Sequence, residues 1–144
     1  IIVLNEKKVV IAVDGGANIE GIKKFKRTFS NFDVIAFKTK LQELNKYLNV
    51  VGNVAVMSEE LAYTSLYYKL KDLEYEIIVT TSRERERMAI NFLPIKERRV
   101  INVPSPLNRR LKRYGFDVIE VDVSELTKGN AGCTDLVVLV DYTL

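Results

Sequence analysis

The sequence predicts an α/β protein of three repeated ββαβ modules followed by a closing strand. Two observations carry that expectation. The order strand, strand, helix, strand recurs three times, at a period of about forty residues. Glycine, proline and asparagine fall between apolar runs where turns and helix ends are needed. No Gly/Ser-rich spacer or low-complexity tract interrupts the repeats, so residues 1–144 read as a single domain.

In the first module, Ile1 to Leu4 and the stronger run Lys8 to Val13 read as paired strands, with Asn5 and Glu6 turning between them. Asp14-Gly15-Gly16-Ala17-Asn18 breaks the second strand. Ile22, Phe25 and Phe29 then recur at helical spacing, with Lys23, Lys24, Lys26 and Arg27 facing water. Asp33 to Phe37 closes the module as a strand.

The second module follows the same plan. Leu44 to Val51 and Asn53 to Met57 are apolar runs split by Gly52. Ser58 caps a helix with Glu59 and Glu60 in its first turn, and Leu61, Thr64, Ser65 and Tyr68 share one of its faces. Glu76 to Thr80 is the next strand. The third module runs through Met88 to Leu93, Arg98 to Val103, a helix near Leu107 to Tyr114, and Phe116 to Val121. Pro104 and Pro106 suit its helix start and Gly115 its stop. The Cys133 loop leads to the closing strand, Leu136 to Val140.

Composition narrows the chemistry. Apolar residues make up 47% of the chain and charged residues 28%, which suits a folded domain with a real core. No apolar run approaches the ~20 residues of a membrane span, and no signal-peptide pattern opens the chain, so a cytoplasmic protein without membrane contact is expected. The net charge of +3 is small and dispersed, which gives no reason to expect nucleic acid. A single cysteine excludes an internal disulfide. Histidine is absent, which removes Cys–His pairs, Ser–His–Asp triads and His-ligated metals together, and no cofactor is expected. The chain opens on Ile1 rather than Met, leaving open that it is the C-terminal part of a longer one.

Cys133 is the leading candidate for chemistry. It lies in the small-residue stretch Lys128-Gly129-Asn130-Ala131-Gly132-Cys133-Thr134-Asp135, directly before an apolar run. A thiolate is a good nucleophile near neutral pH, but a free cysteine is among the most buried residue types and usually behaves as a small apolar filler. Asp135, two residues on, is expected to share a strand face with Cys133 and to raise its thiol pKa. A functional thiol there would be partly accessible at a strand start, with Thr134, Asp135 or Asp14 in reach.

Other stretches weigh less. Asp14-Gly15-Gly16 sits between a strand and a helix but lacks the spacing of a phosphate-binding loop. The alternating run Arg83 to Arg87 reads as a solvated loop or strand edge, and the basic face of Arg109, Arg110, Lys112 and Arg113 as surface. Tyr63, Tyr67 and Tyr68 are placed on the second helix as packing or partner surface. Glu59 and Glu60 are adjacent on a helix and point apart, which excludes a catalytic dyad.

The repeated ββαβ units and the late cysteine resemble the penteins, the guanidino-group-modifying enzymes, nearest their dimethylarginine dimethylaminohydrolase branch. The resemblance rests on Lys7 to Val13 with Asn18, Gly21 and Thr28-Phe29, on Met88 to Leu93, and on Val123 to Lys128 leading to Cys133. It implies a partial, open pentein of about three modules. It also implies Cys133 as the nucleophile that attacks a guanidinium carbon, with acidic side chains clamping the cation. Asp14, Asn18 and Asp135 are the substrate-binding candidates. Where the family has its histidine this sequence has Leu41-Gln42-Glu43-Leu44-Asn45, the family's substrate arginine falls on or near Gly16, and its upstream guanidinium-binding carboxylates have no counterpart in this sequence. The segment ahead of Cys133 is shorter than the family pattern. Two functions therefore stand side by side: thiol-dependent hydrolysis or transfer on a guanidino compound, and a degenerate pentein serving as a ligand-binding or assembly module. An arc of modules leaves sheet edges open, so upstream modules or a homo-oligomer are expected to cover them.

Overall fold

The computed structural model describes residues 1–13, 17–96 and 98–137. The first module is built from β1 (Ile2–Asn5), β2 (Lys8–Val13), α1 (Ile19–Thr28) and β3 (Asp33–Lys38). The second has β4 (Leu48–Val51), β5 (Val54–Ser58), α2 (Ser65–Asp72) and β6 (Glu76–Thr80). A short helix, α3 (Ser82–Glu86), leads to the third: β7 (Leu93–Lys96), β8 (Arg99–Asn102), α4 (Pro106–Arg113) and β9 (Asp117–Glu120). Each module forms its own three-stranded sheet, with the second strand central, antiparallel to the first and parallel to the third. Among the described residues the three ββαβ modules make an open arrangement with no closed barrel, as expected of a partial pentein.

Local chemistry explains most element ends. Asn18, Thr64 and Ser105 each cap a helix by accepting a backbone N–H with the side-chain oxygen. Pro106 opens α4, where its missing N–H costs nothing, and Gly115 ends it at φ +84°, a conformation that suits glycine. The helix in each module lets the chain cross back to a parallel strand, which a tight turn cannot do.

Several expected elements change. Met88 to Leu93 is not a strand. Thr81 and Glu84 form a capping box that nucleates α3 just upstream, and the chain then turns through Met88 at φ +58°, so the strand begins only at Leu93. The run Arg83 to Arg87 is thus mostly helix, neither loop nor strand edge. Leu44–Lys46 is a 3-10 turn, and β4 starts at Leu48. Ser58 accepts no capping bond and Glu59–Leu61 is a single 3-10 turn; Thr64 starts the true helix. Tyr63 therefore precedes α2, although its ring still lies 5.3 Å from that of Tyr67. Cys133–Leu136 is a 3-10 turn, so Leu136 is not in a strand, and residues 138–140 of the expected closing strand lie outside the described residues.

The cores form between modules. One cluster joins Val10, Ala12 and Phe37 of the first module to Leu66 and Leu70 of α2. Another joins Val56 and Ile78 of the second to Leu107 and Leu111 of α4, and also holds Phe92 and Cys133. A smaller one, Val9, Ile11, Ile22 and Val34, belongs to the first module alone. No helix among the described residues is long and apolar enough to cross a membrane.

Candidate functional site

The Cys133 turn is held from below by the segment linking α3 to β7. Asn49, on β4, donates to the carbonyls of Ile90 (2.9 Å) and Phe92 (2.7 Å), fixing the backbone on both sides of Asn91. Asn91, only 1% exposed, then accepts through Oδ1 from the Thr134 N–H at 2.8 Å and the Thr134 hydroxyl at 2.6 Å. Gly132 passes so close that a Cβ there would lie 2.5 Å from Asn91 Oδ1, so only glycine fits. The Gly132 N–H donates to Asp135 Oδ2 at 2.7 Å, which closes the turn.

These contacts put Cys133 inside. It is 4% exposed and packs in the cluster shared by the second and third modules, against the expectation of a partly accessible thiol at a strand start. The physical reason is the turn itself. A 3-10 segment pinned by Asn91 points residue 133 into the core and leaves Asp135 outside. Burial pushes the thiol pKa above its ordinary value, and the Asp135 carboxylate adds to the shift. The N–H groups of Cys133 and Val103 oppose it only in part. A thiol in that state is protonated at neutral pH and a weak nucleophile.

Of the expected site residues, the structure brings Cys133 and Asp135 together. Their common element is a turn, so they do not share a strand face. Asn18 belongs to the first module, where its Oδ1 accepts from the Gly21 N–H at 2.8 Å as the cap of α1. Asp14 lies outside the described residues. Asn18→Ala should cost about 1 kcal/mol of stability, the usual loss of a cap, while the labelling rate of Cys133 stays unchanged. Thermal melts and thiol labelling of the variant check this; a cost near zero would show that the cap is not what Asn18 contributes.

Sequence reasoning missed the polar groups that organise this region. The apolar pattern puts Asn91 in a strand, yet a lone asparagine inside Ala-Ile-Asn-Phe-Leu is a visible signal of a buried anchor. Asn102 and Asn108 form a second buried pair at 2.8 Å, with Asn108 also donating to the Val103 carbonyl and to Glu120. Among the described residues no cluster of three or more metal-ligating side chains exists.

No protein-family model matches the chain. It is similar to the uncharacterized protein YkgA of Bacillus subtilis (23% identity over 88% of this chain and 46% of that one). It is also similar to an uncharacterized protein of Aeropyrum pernix (26% identity over 94% and 50%). The chain thus spans about half the length of the curated relatives it matches. Among solved structures it superposes on Pseudomonas aeruginosa dimethylarginine dimethylaminohydrolase in complex with citrulline, with TM-score 0.75 and 22% identity over 91% of this chain and 50% of that one. The amidinotransferase SxtG of Microseira wollei gives TM-score 0.72 and 15% identity over 89% and 40%. The substrate-bound N-terminal domain of the cyanobacterial arginine dihydrolase ArgZ gives 0.70 and 14% over 90% and 49%. Three modules of matching topology, carried over nine-tenths of the chain, give it the pentein fold of the guanidino-group-modifying enzymes.

Proposed function

We propose that this chain is a catalytically silent relative of the guanidino-modifying penteins, acting as a ligand-binding or assembly module. The burial of Cys133 supports this reading above all: the one thiol of the chain is a core residue with a raised pKa. The absence of histidine supports it further, since the chain offers no imidazole to take the thiol proton. If a ligand binds, the fold suggests a guanidinium cation, with Asp14, Asn18 and Asp135 as the proposed polar contacts.

The competing reading is thiol-dependent hydrolysis through Cys133, favoured by the carboxylate of Asp135 beside the sulfur. A bound guanidinium would offset that negative charge and favour the thiolate. Assays for citrulline and amine release from arginine and dimethylarginine separate the two, run on the wild type and on Cys133→Ala. The expected result is no product above background from either protein. Turnover by the wild type that vanishes in Cys133→Ala would overturn the proposal.

A further inference from the structure

Three tyrosines around the start of α2 are not explained by the packing of that helix. Leu66 and Leu70, 1% and 0% exposed, dock α2 in its core cluster. Tyr63 is 76% exposed and Tyr68 54%, with Tyr67 half-buried. The module plan does not require them either. Aligned on their caps, Thr64 and Ser105, α2 and α4 repeat Leu66 as Leu107 and Leu70 as Leu111. Pro104, Asn108 and Arg109 then stand where Tyr63, Tyr67 and Tyr68 do.

Tyr63 also occupies an unfavourable backbone position. Thr64 donates its N–H (3.3 Å) and its hydroxyl (2.7 Å) to the Leu61 carbonyl, closing a turn in which Tyr63 lies at φ +61°. Glycine or asparagine adopts that conformation readily, and a bulky side chain does not. A strained backbone beneath an exposed ring, which no core contact repays, points to a role for the ring itself.

The three rings form one surface. The centroids of Tyr63 and Tyr67, and those of Tyr67 and Tyr68, are 5.3 Å apart, with planes inclined at 42° and 89°. Their faces therefore turn in different directions around Tyr67. The Lys71 ammonium lies 5.5 Å from the Tyr67 centroid, over the ring. Ring faces carry partial negative charge and attract cations, so one cation of this chain already uses this surface. A lysine ammonium is compact and strongly hydrated, whereas a methylated ammonium presents an apolar, weakly hydrated cation that suits several tyrosine faces at once.

We propose that Tyr63, Tyr67 and Tyr68 bind a methylated ammonium group, with Lys71 as the internal cation that it displaces. The site lies on α2 and uses neither Cys133 nor Asp135, so it goes beyond the function proposed above and is tested independently of it.

Titrations followed through the ligand's methyl proton resonances test it on the whole chain. Choline should bind roughly tenfold more tightly than its uncharged isostere 3,3-dimethyl-1-butanol, because only the cation gains from the ring faces. Tyr63→Gly and Tyr68→Ser, both at exposed positions, should keep the wild-type circular dichroism and each weaken choline binding severalfold. Lys71→Ala should strengthen it, since the competing charge is gone. A peptide carrying one trimethyllysine, titrated beside choline, separates the two sources of such a group. Tighter binding of the peptide marks a protein partner, and equal or weaker binding marks a free cation. Equal affinity for choline and its isostere would overturn the proposal. So would choline binding that both tyrosine variants leave unchanged, or that Lys71→Ala weakens, the sign of a surface for anions.

Discussion

Replacing Asn91 with alanine is expected to raise the alkylation rate of Cys133 by roughly ten- to a hundredfold. The argument starts from the two hydrogen bonds that Asn91 Oδ1 accepts from Thr134, at 2.8 and 2.6 Å. Removing the acceptor leaves the partly buried Thr134 N–H and hydroxyl without it, at a cost of about 1–3 kcal/mol. That cost falls on the turn, since residues 131–137 have few other described ties to the modules. Where opening is fast compared with labelling, the reactive population grows tenfold for each ~1.4 kcal/mol lost locally. Amide exchange of β5 and β8 serves as the control for global destabilisation. Thr134→Val, which removes the hydroxyl and keeps the N–H, should give a smaller increase. A labelling rate unmoved by Asn91→Ala would mean that Asn91 does not hold the thiol shut.

The modular plan was legible because it rests on signals the chain repeats. Alternating apolar runs, a proline at the start of α4 and a glycine after it all follow from backbone chemistry that works within a few residues. The region from Thr81 to Phe92 was not legible in the same way. Its alternating charges resemble a solvated strand, while the decisive feature is one reciprocal pair, Thr81 and Glu84, three residues apart. The burial of Cys133 was harder still. The apolar cluster it belongs to draws on residues 51–56, 78, 89–93 and 100–118, and the asparagines that pin its turn, directly or through the backbone, are forty and more residues away. Local pattern could weigh a nucleophile against a core filler but could not choose, because the choice depends on which way a 3-10 turn faces. The coupling of Asp135 to the thiol was anticipated correctly in sign, since it follows from sequence proximity alone.

Glu84→Gln is expected to destabilise the fold by about 2–3 kcal/mol at neutral pH, because it breaks a buried ion pair that ties the segment after β6 to α4. Glu84 is 7% exposed and accepts from Arg110 Nη2 through both carboxylate oxygens, at 2.6 and 2.7 Å, while also accepting from the Thr81 N–H and hydroxyl. Arg110 reaches from α4 to the carbonyl of Val79 at the same time, so one guanidinium joins β6, α3 and α4. A glutamine keeps the shape and the Thr81 contact but leaves the Arg110 charge uncompensated. Burial pushes the Glu84 carboxyl up, yet Thr81 and Arg110 outweigh it and hold the folded pKa below the ordinary 4.5. A lowered folded pKa means that the unfolded chain binds the proton more tightly. The stabilisation is therefore complete above about pH 4.5 and is lost as pH falls through the folded value. Urea midpoints at neutral pH and below pH 4 should show the wild type losing more on acidification than Glu84→Gln, so that the gap between them narrows. A gap that stays constant, or widens toward acid, would mean that the Glu84 charge contributes nothing to holding this segment to α4.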